Sequence, residues 1–376
     1  MKYYIIAGEA SGDLHASNLM REIYALDAQA EIRFWGGDMM LSVGGELVRH
    51  YKDTAVMGVA DVLTSLGKIR KNFALCRRDL AQYRPDALIL VDYPGFNLPM
   101  AGYAHKLGLT VFYYISPKIW ASKEYRIKKM RRYIDRLFTI LPFETEYFRR
   151  HGMEVTYCGN PVMDAIEARH HKGETLQEFC LRNNLDGRPK IALLAGSRKG
   201  EIRYCLPPML RAIDEFPQYQ FVIAGAPSFT MADYEPYVQG KDVRVVFGET
   251  YQLVSVAQAA LVTSGTATLE TAILNCPQIL IYLMWGGAFS DRIARRIIKV
   301  KWIGLVNLIL GRESLCEMFQ SAYSFERMIA LLRKLVDAGS PERQRMLADY
   351  DELRRLVGTA GCSRRAAQGM VDILNK

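Results

Sequence analysis

The sequence predicts an α/β protein of two doubly wound domains that face each other across a cleft. Short apolar runs alternate with amphipathic helical patterns, which is typical of parallel strands covered by helices on both faces. A charged segment at 167–190 interrupts this alternation, which restarts after it. A length of 376 residues also exceeds what one hydrophobic core usually organises, so two domains are the expected arrangement.

The first half predicts an N-terminal domain at 1–166. Helical patterns occupy 61–83 and 98–107, where apolar residues recur every three or four positions. The predicted strands are short apolar runs between such patterns, at 3–7, 32–35, 87–91, 110–114, 136–139 and 155–157.

The second half predicts a C-terminal domain at 167–349. The charged segment 167–190 has the composition of a linker that contains one short helix. The chain closes with a polar helical pattern from 325 to 375, which Gly339-Ser340-Pro341 interrupts. The predicted strands between these two segments lie at 191–195, 220–224, 243–247, 259–263 and 278–283.

The chain is basic, with a formal net charge of +9, which predicts an anionic partner. The candidates are nucleic acid, phospholipid and a phosphorylated small molecule. No signature of a nucleic-acid-binding fold occurs, so we expect no nucleic acid. The seven cysteines are scattered without a CxxC pair, which favours free thiols in the cytoplasm. We expect neither a signal peptide nor a membrane-spanning segment.

Glycines and polar residues follow the first predicted strand, at 8–15. Ligands of open α/β sheets bind at the carboxyl ends of strands, glycine lets the backbone approach a ligand, and a helix N-terminus favours anions. The alternative is that the glycines only shape a turn. The candidate site residues in this loop are Gly8, Glu9, Ser11, Gly12, Asp13 and His15.

An aspartate stands at the end of the predicted strand 87–91 and directly before the turn Pro94-Gly95. Burial raises the pKa of a carboxyl group, which suits a general base near neutral pH, so Asp92 is the candidate base. Asn97 is a further candidate in this loop. The alternative is that Asp92 only caps the helix that follows.

Two strand ends of the second half carry residues suited to a diphosphate. Arg198 offers bidentate phosphate recognition, with the alternative of an ordinary surface arginine. After the strand at 259–263, a helix is predicted from about Thr266. Its first backbone amides and its dipole suit a diphosphate without metal. The alternative is that the Ser and Thr hydroxyls around its start are ordinary helix caps. Glu270 would accept the hydroxyls of a ribose. The candidates are Gly196, Ser197, Arg198, Ser264, Gly265, Thr266, Ala267, Thr268 and Glu270.

Motifs for other nucleotide and metal chemistry are absent from the sequence. No GxxxxGK[ST] or GxGxxG segment occurs, and no HExxH or DxD-like metal motif stands out. We therefore expect neither a dinucleotide cofactor nor a metal.

An apolar stripe with basic neighbours begins at residue 59, just before the predicted helix 61–83, and continues along that helix. Such a stripe suits the surface of an anionic membrane, although most amphipathic helices pack against a protein core. Basic clusters at 118–132 and 285–302 would add about 1 kcal/mol of attraction per well-placed charge. The candidate membrane-contact residues are Val59, Val62, Leu63, Leu66 and Ile69.

Nine segments in this order resemble the lipid-A-disaccharide synthase family, over almost the whole chain. They lie at 7–13, 56–58, 91–97, 114–121, 141–144, 159–161, 195–198, 264–270 and 307–313. The resemblance implies a glycosyltransferase-B fold of two Rossmann-like domains, with the donor nucleotide on the C-terminal one. It also implies that a C-terminal helix at about 350–376 returns to the N-terminal domain.

The reaction that the resemblance implies joins UDP-2,3-diacylglucosamine to 2,3-diacylglucosamine 1-phosphate (lipid X). The products are the β-1′,6-linked disaccharide 1-phosphate and UDP, with inversion at the anomeric carbon and without metal or cofactor. The enzyme would act as a peripheral protein at the cytoplasmic face of the inner membrane of a Gram-negative cell. An exposed returning helix is compatible with a homodimer.

The resemblance supports Asp92, Arg198 and Asn307 as functional positions. Asp92 would take the proton of the acceptor 6-hydroxyl, and Arg198 would stabilise the leaving UDP together with the loop at 264–268. The candidates at 8–15 would line the acceptor side. Three residues depart from the pattern common among relatives: Gly95 stands in place of an acid, Ser122 in place of a tryptophan and Val306 in place of a proline.

Two other functions fit the same predicted fold. One is a UDP-N-acetylglucosamine 2-epimerase or another UDP-sugar transferase, against which the apolar and basic helix argues. The other is a protein that binds a UDP-sugar or a lipid without turnover, against which the presence of both Asp92 and Arg198 argues.

Overall fold

The computed structural model describes residues 1–54, 59–263, 265–286, 296 and 300–376, with residues 54 and 59–66 described by their backbone alone. The chain forms two compact units. Unit 1 comprises residues 1–164 and 359–376, and unit 2 comprises residues 165–358. The C-terminal segment therefore belongs to the same unit as the N-terminus.

Unit 1 is built on a parallel sheet with seven strands in the described residues. In chain order these are β1 (Lys2–Ala7), β2 (Glu31–Gly36), β3 (Glu46–His50), β4 (Ala87–Val91), β5 (Thr110–Tyr114), β6 (Arg136–Thr139) and β7 (Val155–Tyr157). Their order across the sheet is β3-β2-β1-β4-β5-β6-β7, and each neighbouring pair is parallel. The order reverses between β1 and β4, which makes their carboxyl ends the switch point where open α/β sheets bind ligands.

Helices cover both faces of this sheet. They are α1 (Ala10–Leu26), α2 (Asp38–Val43), α3 (Tyr51–Thr54), α4 (Val59–Tyr83), α5 (Pro94–Lys106), α6 (Ile127–Tyr133), α7 (Pro142–Arg150) and α8 (Pro161–Glu167), which leads into unit 2. Alternate residues of β1 enter different cores, as the period of a strand requires. Tyr3, Ile5 and Ala7 pack in one apolar cluster with α1, and Tyr4 and Ile6 pack in another with α4 and α5.

Unit 2 repeats this architecture with six described strands. They are β8 (Lys190–Leu194), β9 (Gln220–Gly225), β10 (Val243–Phe247), β11 (Ala259–Val262), β12 (Gln278–Tyr282) and β13 (Glu317–Phe319). Their order is β10-β9-β8-β11-β12-β13, again all parallel. The switch point here lies between β8 and β11.

The helices after α8 run to the C-terminus. They are α9 (Leu176–Arg182), α10 (Lys199–Leu210), α11 (Met231–Val238), α12 (Thr250–Val256), α13 (Gly265–Ile273), α14 (Leu305–Leu310), α15 (Phe325–Val336), α16 (Pro341–Val357) and α17 (Cys362–Leu374). The last of these, α17, lies in unit 1, where it packs against α1.

The predicted fold class is confirmed by the two parallel sheets and their covering helices. Each predicted strand occurs within one residue of its predicted ends. Two strands were not predicted, β3 and β13, because they lie at the edges of their sheets and lack a continuous apolar run. The C-terminal helical pattern has a second break at 358–361, so the segment that belongs to unit 1 begins at residue 359 and not at about 350.

Candidate active site

The candidate base lies at the switch point of unit 1. Ala7 at the end of β1 pairs with Val91 at the end of β4, so the loops that begin at Gly8 and Asp92 are neighbours. Asp92 and Tyr93 both have left-handed backbone conformations, with φ of 42° and 46°. Such conformations are costly for residues other than glycine, and they persist only where the surroundings hold them.

Two buried side chains hold the Asp92 backbone. The Asn97 amide nitrogen donates to the carbonyl oxygens of Asp92, at 2.7 Å, and Val91, at 3.2 Å. The Tyr113 hydroxyl donates to the same Asp92 carbonyl at 2.5 Å. Asn97 is fully buried and positions the turn that carries Asp92, and its place on the acceptor side stays a prediction. This role of Tyr113 was not predicted, because nothing in the sequence of its strand indicates a hydrogen bond to the Asp92 turn.

The electrostatic surroundings raise the pKa of the Asp92 carboxyl. Burial is the largest cause, and the negative charge of exposed Glu9 adds to it. The positive charge of Lys118 and the backbone N–H of Tyr93 act in the opposite direction. The balance favours a carboxylate that accepts a proton more readily than an ordinary aspartate.

The glycines at 8 and 12 have different roles. A Cβ atom on Gly8 would lie 2.2 Å from the Tyr93 ring, so glycine alone lets this ring lie over the loop. A Cβ atom on Gly12 would lie 3.4 Å from the Ala7 side chain, which is ordinary contact, so Gly12 is a packing position in the buried side of α1.

Asp13 has a structural role, and its predicted acceptor-side role stays a prediction. It is buried, and its carboxylate accepts the backbone N–H groups of Gly37 at 2.7 Å, Met39 at 3.1 Å and Met40 at 3.2 Å. These groups lie at the start of α2, so Asp13 caps that helix from α1. The sequence could not reveal this, because the partners lie about 25 residues further along the chain.

The other two candidates on α1 differ in exposure. Ser11 is exposed in the first turn of the helix. His15 is partly buried, and burial lowers its pKa to about 4 although the charge of Asp164 acts against this shift. Asp164 in turn accepts the backbone N–H groups of Gly361 and Cys362, at 2.5 and 3.2 Å, at the start of α17. His15 therefore lies beside the cap of the C-terminal helix.

Two cavities open beside the Asp92 turn. The first, the aromatic pocket, has a volume of about 390 Å³ and includes Gly8, Glu9 and Ile69 in its wall. The second, the basic pocket, has a volume of about 340 Å³ and includes Asp92 itself. Aromatic rings dominate the wall of the first pocket, where they belong to Trp35, Tyr51, Phe73, Tyr93 and Phe96.

The basic pocket contains three cations, Lys118, Lys123 and Arg126. Among the described side chains, no carboxylate forms an ion pair with any of them within 4 Å. Glu144 forms the buried part of the wall. It accepts hydrogen bonds from the Ser116 hydroxyl at 2.7 Å, the Trp120 indole and the Leu141 backbone, and burial raises its pKa.

In unit 2 a glycine turn carries the candidate arginine. Gly196 has a φ of +96°, and a Cβ atom there would lie 2.7 Å from the Glu201 Cβ, so the position requires glycine. The Glu201 carboxylate accepts the backbone N–H groups of Ser197, at 2.9 Å, and Arg198, at 3.3 Å. The Arg198 side chain is 80% exposed and contacts Glu201 at 3.4 Å, so its guanidinium is open to a ligand.

The second donor-side loop lies next to this turn, because Leu194 of β8 pairs with Val262 of β11. Helix α13 begins at Gly265, one residue before the predicted start, and Ser264 lies outside the described residues. The described candidates at this end are an exposed Thr266, a partly buried Ala267 and a buried Thr268. The Thr268 hydroxyl donates to the Gly265 carbonyl at 2.6 Å, within the first turn of α13, and its contact with the donor substrate stays a prediction.

Glu270 lies one turn further along α13. The Tyr251 hydroxyl donates to one of its carboxylate oxygens at 3.0 Å, and burial raises the pKa of the carboxyl group. A carboxylate held in this way is suited to accept further hydroxyl donors on its other oxygen. Tyr251 is a residue that the sequence did not single out.

Asn307 is fully buried, and its side chain forms hydrogen bonds only to other residues of unit 2 among those described. Its side chain accepts the backbone N–H groups of Ser314 and Leu315 and donates to Glu317 at 2.9 Å. The Glu317 carboxylate also accepts the N–H group of Ile303 at 2.8 Å. Ile303 abuts the start of α13, since a Cβ atom on Gly265 would lie 3.1 Å from its carbonyl oxygen. Asn307 therefore positions the start of α13, and its direct contact with the donor stays a prediction.

The three departures from the family pattern occupy different environments. Gly95 is exposed and lines the aromatic pocket, and Ser122 lines the basic pocket. Val306 is fully buried in α14, where an apolar side chain packs without a hydrogen-bonding demand.

The predicted membrane stripe is only partly within the described side chains. Ile69 is partly buried in the wall of the aromatic pocket, and the side chains of Val59, Val62, Leu63 and Leu66 lie outside the described residues. Most of the basic cluster at 285–302 lies outside them as well. The helices that the structure describes include none with the length and hydropathy needed to cross a bilayer.

Comparison with known proteins gives matches along the whole chain. A family model for lipid-A-disaccharide synthetase matches residues 3–367. Lipid-A-disaccharide synthase from Syntrophus aciditrophicus is 37% identical over 99% of this chain and 97% of its own length. The enzyme of the same name from Geobacter metallireducens is 35% identical with the same coverage.

Solved structures share the fold at much lower identity. UDP-GlcNAc 2-epimerase from Neisseria meningitidis, bound to UDP-GlcNAc, has a TM-score of 0.66 at 11% identity and covers 99% of this chain and all of its own. The glycotransferase of kitacinnamycin has a TM-score of 0.64 at 13% identity, covering 99% and 98%. At these identities the likeness concerns the fold alone.

Proposed function

Because the chain belongs to the lipid-A-disaccharide synthetase family, we propose that it joins UDP-2,3-diacylglucosamine to lipid X. The chain is a glycosyltransferase with the two Rossmann-like units of the glycosyltransferase-B fold. The products of the proposed reaction are the β-1′,6-linked disaccharide 1-phosphate and UDP. The observation that carries the proposal within the site is the Asp92 carboxyl, held at a switch point in surroundings that raise its pKa.

In this mechanism Asp92 is the general base. It removes the proton from the 6-hydroxyl of the acceptor while that oxygen attacks the anomeric carbon of the donor. The bond from the anomeric carbon to the UDP oxygen breaks in the same displacement, so the α-linked donor yields a β-linked product. The proton ends on the Asp92 carboxyl, and the electron pair of the broken bond leaves with UDP.

The leaving UDP is bound by unit 2. Arg198 meets the diphosphate with its exposed guanidinium, and the first N–H groups of α13 with Thr266 offer further donors. Gly196 and Ser197 form the turn before Arg198, Gly265 and Ala267 belong to the first turn of α13, and Glu270 accepts the ribose hydroxyls. Ser264 is a further proposed contact of the donor. We assign no metal to this step, since positive charge and amide dipoles stabilise the developing charge directly.

The phosphate of the acceptor binds in the basic pocket. Lys118, Lys123 and Arg126 have no carboxylate partner among the described residues, and Asp92 shares their pocket. These cations would bind the 1-phosphate of the acceptor, which lies at the other end of the sugar from the 6-hydroxyl that reacts. Glu9, exposed on the neighbouring loop, and Ser11, exposed in the first turn of α1, complete this side of the site.

The apolar stripe of α4 is proposed to dock the enzyme on an anionic membrane at its cytoplasmic face, where both lipid substrates reside. Sedimentation with vesicles of anionic phospholipid tests this, with Leu63→Ser and Leu66→Ser expected to reduce binding and neutral vesicles to bind less. Equal binding by wild type and variants would remove the stripe from the proposal. We also propose a homodimer, which sedimentation velocity tests directly.

The reaction is tested by incubating the purified protein with both acylated substrates in the presence of a chelator. Disaccharide 1-phosphate and UDP from wild type, and their loss with Asp92→Asn, would support the reaction, the base and metal independence together. Product from both proteins would retain the reaction and remove Asp92 as the base. Turnover of non-acylated UDP-GlcNAc to its 2-epimer, without disaccharide, would replace the proposal by the epimerase activity that the shared fold allows.

A further inference from the structure

The aromatic pocket is larger than the proposed chemistry needs. Its volume of about 390 Å³ lies within the range of small-molecule sites. Proton transfer and UDP departure take place around Asp92 and in unit 2, and neither step requires an apolar cavity. These steps therefore leave the pocket without a role, and it is a candidate site for a separate part of a substrate.

Stacked rings form the wall of this pocket. Phe73 and Phe96 lie face to face, with their ring centroids 4.5 Å apart and their planes within 17°. Trp35 and Tyr93 both lie against Phe96, at 5.3 and 6.0 Å between centroids. Burial of apolar ligand groups against such a surface favours binding, whereas the rings offer few hydrogen-bond partners to a polar ligand.

The wall also contains polar side chains, among them Glu9, Arg49 and Asn72. Asn72 is only 7% exposed, and no hydrogen bond to its amide forms within the described part of the chain. A ligand that brings a carbonyl or hydroxyl group into the pocket would give this amide a hydrogen-bond partner. The pocket thus suits a mainly apolar ligand with one hydrogen-bonding group.

We propose that the aromatic pocket holds one fatty acyl chain of the acceptor, with Asn72 bonded to the polar group of that chain. This inference rests on the proposed function. The acceptor is favoured over the donor because Gly8, Glu9, Tyr93 and Gly95 line the pocket and also flank the Asp92 turn. A chain in the pocket is therefore attached to the sugar whose hydroxyl meets Asp92.

The route into the pocket is consistent with a lipid ligand. Ile69 and Phe73 of α4 line it, and the remaining residues of the proposed membrane stripe precede them in the same helix. The stripe proposed to meet the membrane thus runs along α4 to the pocket. Each methylene that enters is expected to raise kcat/KM about fourfold until the pocket is full, the equivalent of about 0.8 kcal/mol.

Gly95 offers a way to fill the pocket without disturbing the fold. It lies in the pocket wall, no atom stands within 4 Å of a Cβ atom built on it, and its φ is outside the left-handed region. Gly95→Leu should lower kcat/KM for long-chain acceptors about tenfold or more and move the optimum to shorter chains. Phe73→Leu should move it to longer ones. Gly187→Leu, at an exposed glycine of unit 2 with equally open surroundings, is the control that keeps the wild-type profile.

The measurement is kcat/KM against acyl length, varied first in the acceptor and then in the donor. An unchanged acceptor profile in both pocket variants would overturn the proposal, and a shift in the donor profile alone would overturn the choice of the acceptor chain. A second readout does not depend on turnover: an acceptor with a brominated acyl chain should quench Trp35 fluorescence, and Trp35→Phe should lose that part of the quenching. If wild type made no disaccharide, the proposed function would fail, while quenching would still decide the pocket.

Discussion

At the scale of single residues, Asp92 depends on its neighbours for both geometry and charge. Its backbone adopts a left-handed conformation that Asn97 and Tyr113 hold by bonding to its carbonyl oxygen. Burial raises the pKa of its carboxyl group. The negative charge of Glu9 raises this pKa further, and the positive charge of Lys118 lowers it.

This arrangement predicts two opposite shifts in the pH profile of kcat/KM. Activity requires Asp92 without its proton, so the acid limb of the profile follows its pKa. Glu9→Gln removes a charge that raises this pKa, and the limb should move to lower pH. Lys118→Met removes a charge that lowers it, and the limb should move to higher pH.

The control for both is Glu235→Gln, which removes an exposed charge on α11 of unit 2 and should leave the limb in place. Shifts of the same sign in the two variants, or no shift in either, would show that Asp92 does not control the acid limb.

A second residue-scale prediction concerns the stability of unit 1 in acid. Burial lowers the pKa of His15 to about 4, against 6.5 for an ordinary histidine. His15 is neutral in both the folded and the unfolded chain above pH 6.5. As the pH falls from 6.5 towards 4, the unfolded chain binds the proton first, so the free energy of unfolding decreases, by up to about 3 kcal/mol.

Denaturant titrations at several pH values would measure this loss. His15→Gln should remove this part of the pH dependence, and His170→Gln, at an exposed histidine, should retain it. A wild-type and a His15→Gln protein that lose stability in parallel between pH 6.5 and 4 would contradict the prediction.

At the scale of elements, the loops after β1 and β4 are fitted to each other through one close contact. The Tyr93 ring occupies the space that a side chain at position 8 would need. Gly8→Ala should therefore displace Tyr93 and the turn that carries Asp92, and a displacement near 1 Å should lower kcat on the order of 10²-fold.

A double-mutant cycle separates this contact from general damage. Tyr93→Ala removes the ring, so Gly8→Ala should cost much less in the Tyr93→Ala background than in wild type. Gly187→Ala is the matched control, where open surroundings predict full activity. Additive losses in the cycle would show that the ring contact is not the reason for glycine at position 8.

At the scale of the whole molecule, the C-terminal segment completes the core of the unit that begins with residue 1. Cys362, Ala366 and Met370 of α17 are fully buried in the cluster that contains alternate residues of β1 and the inner face of α1. Asp164 caps this helix by accepting backbone N–H groups at its start, among them those of Gly361 and Cys362.

Asp164→Ala should lower the free energy of unfolding of unit 1 by about 1–2 kcal/mol, because it leaves those N–H groups without a partner. Chemical denaturation followed by circular dichroism measures this. Asp372→Ala, an exposed position on the same helix, should change it by less than about 0.5 kcal/mol. Equal losses in the two variants would exclude the cap as the cause.

Much of the architecture was predictable because the signals are local. The strands were recognised from apolar runs, and both units place their candidate loops at the point where the strand order reverses. The edge strands β3 and β13 escaped prediction because solvent on one side permits polar residues. The break at 358–361 was not predicted, although Gly358 and Gly361 are local signals for it and both have positive φ.

The sequence by itself determined the alternation of elements and the strand ends at which polar residues gather, since hydrophobic period and turn residues are properties of short segments. Only the tertiary structure decided which of those residues remain open to a ligand. Asp92 and Arg198 do, whereas Asp13 and Asn307 use their hydrogen-bonding groups on the protein itself, as does the amide nitrogen of Asn97. The physical reason is that a buried polar side chain must find partners, and folding brings those partners from segments whose proximity no spacing in the sequence records.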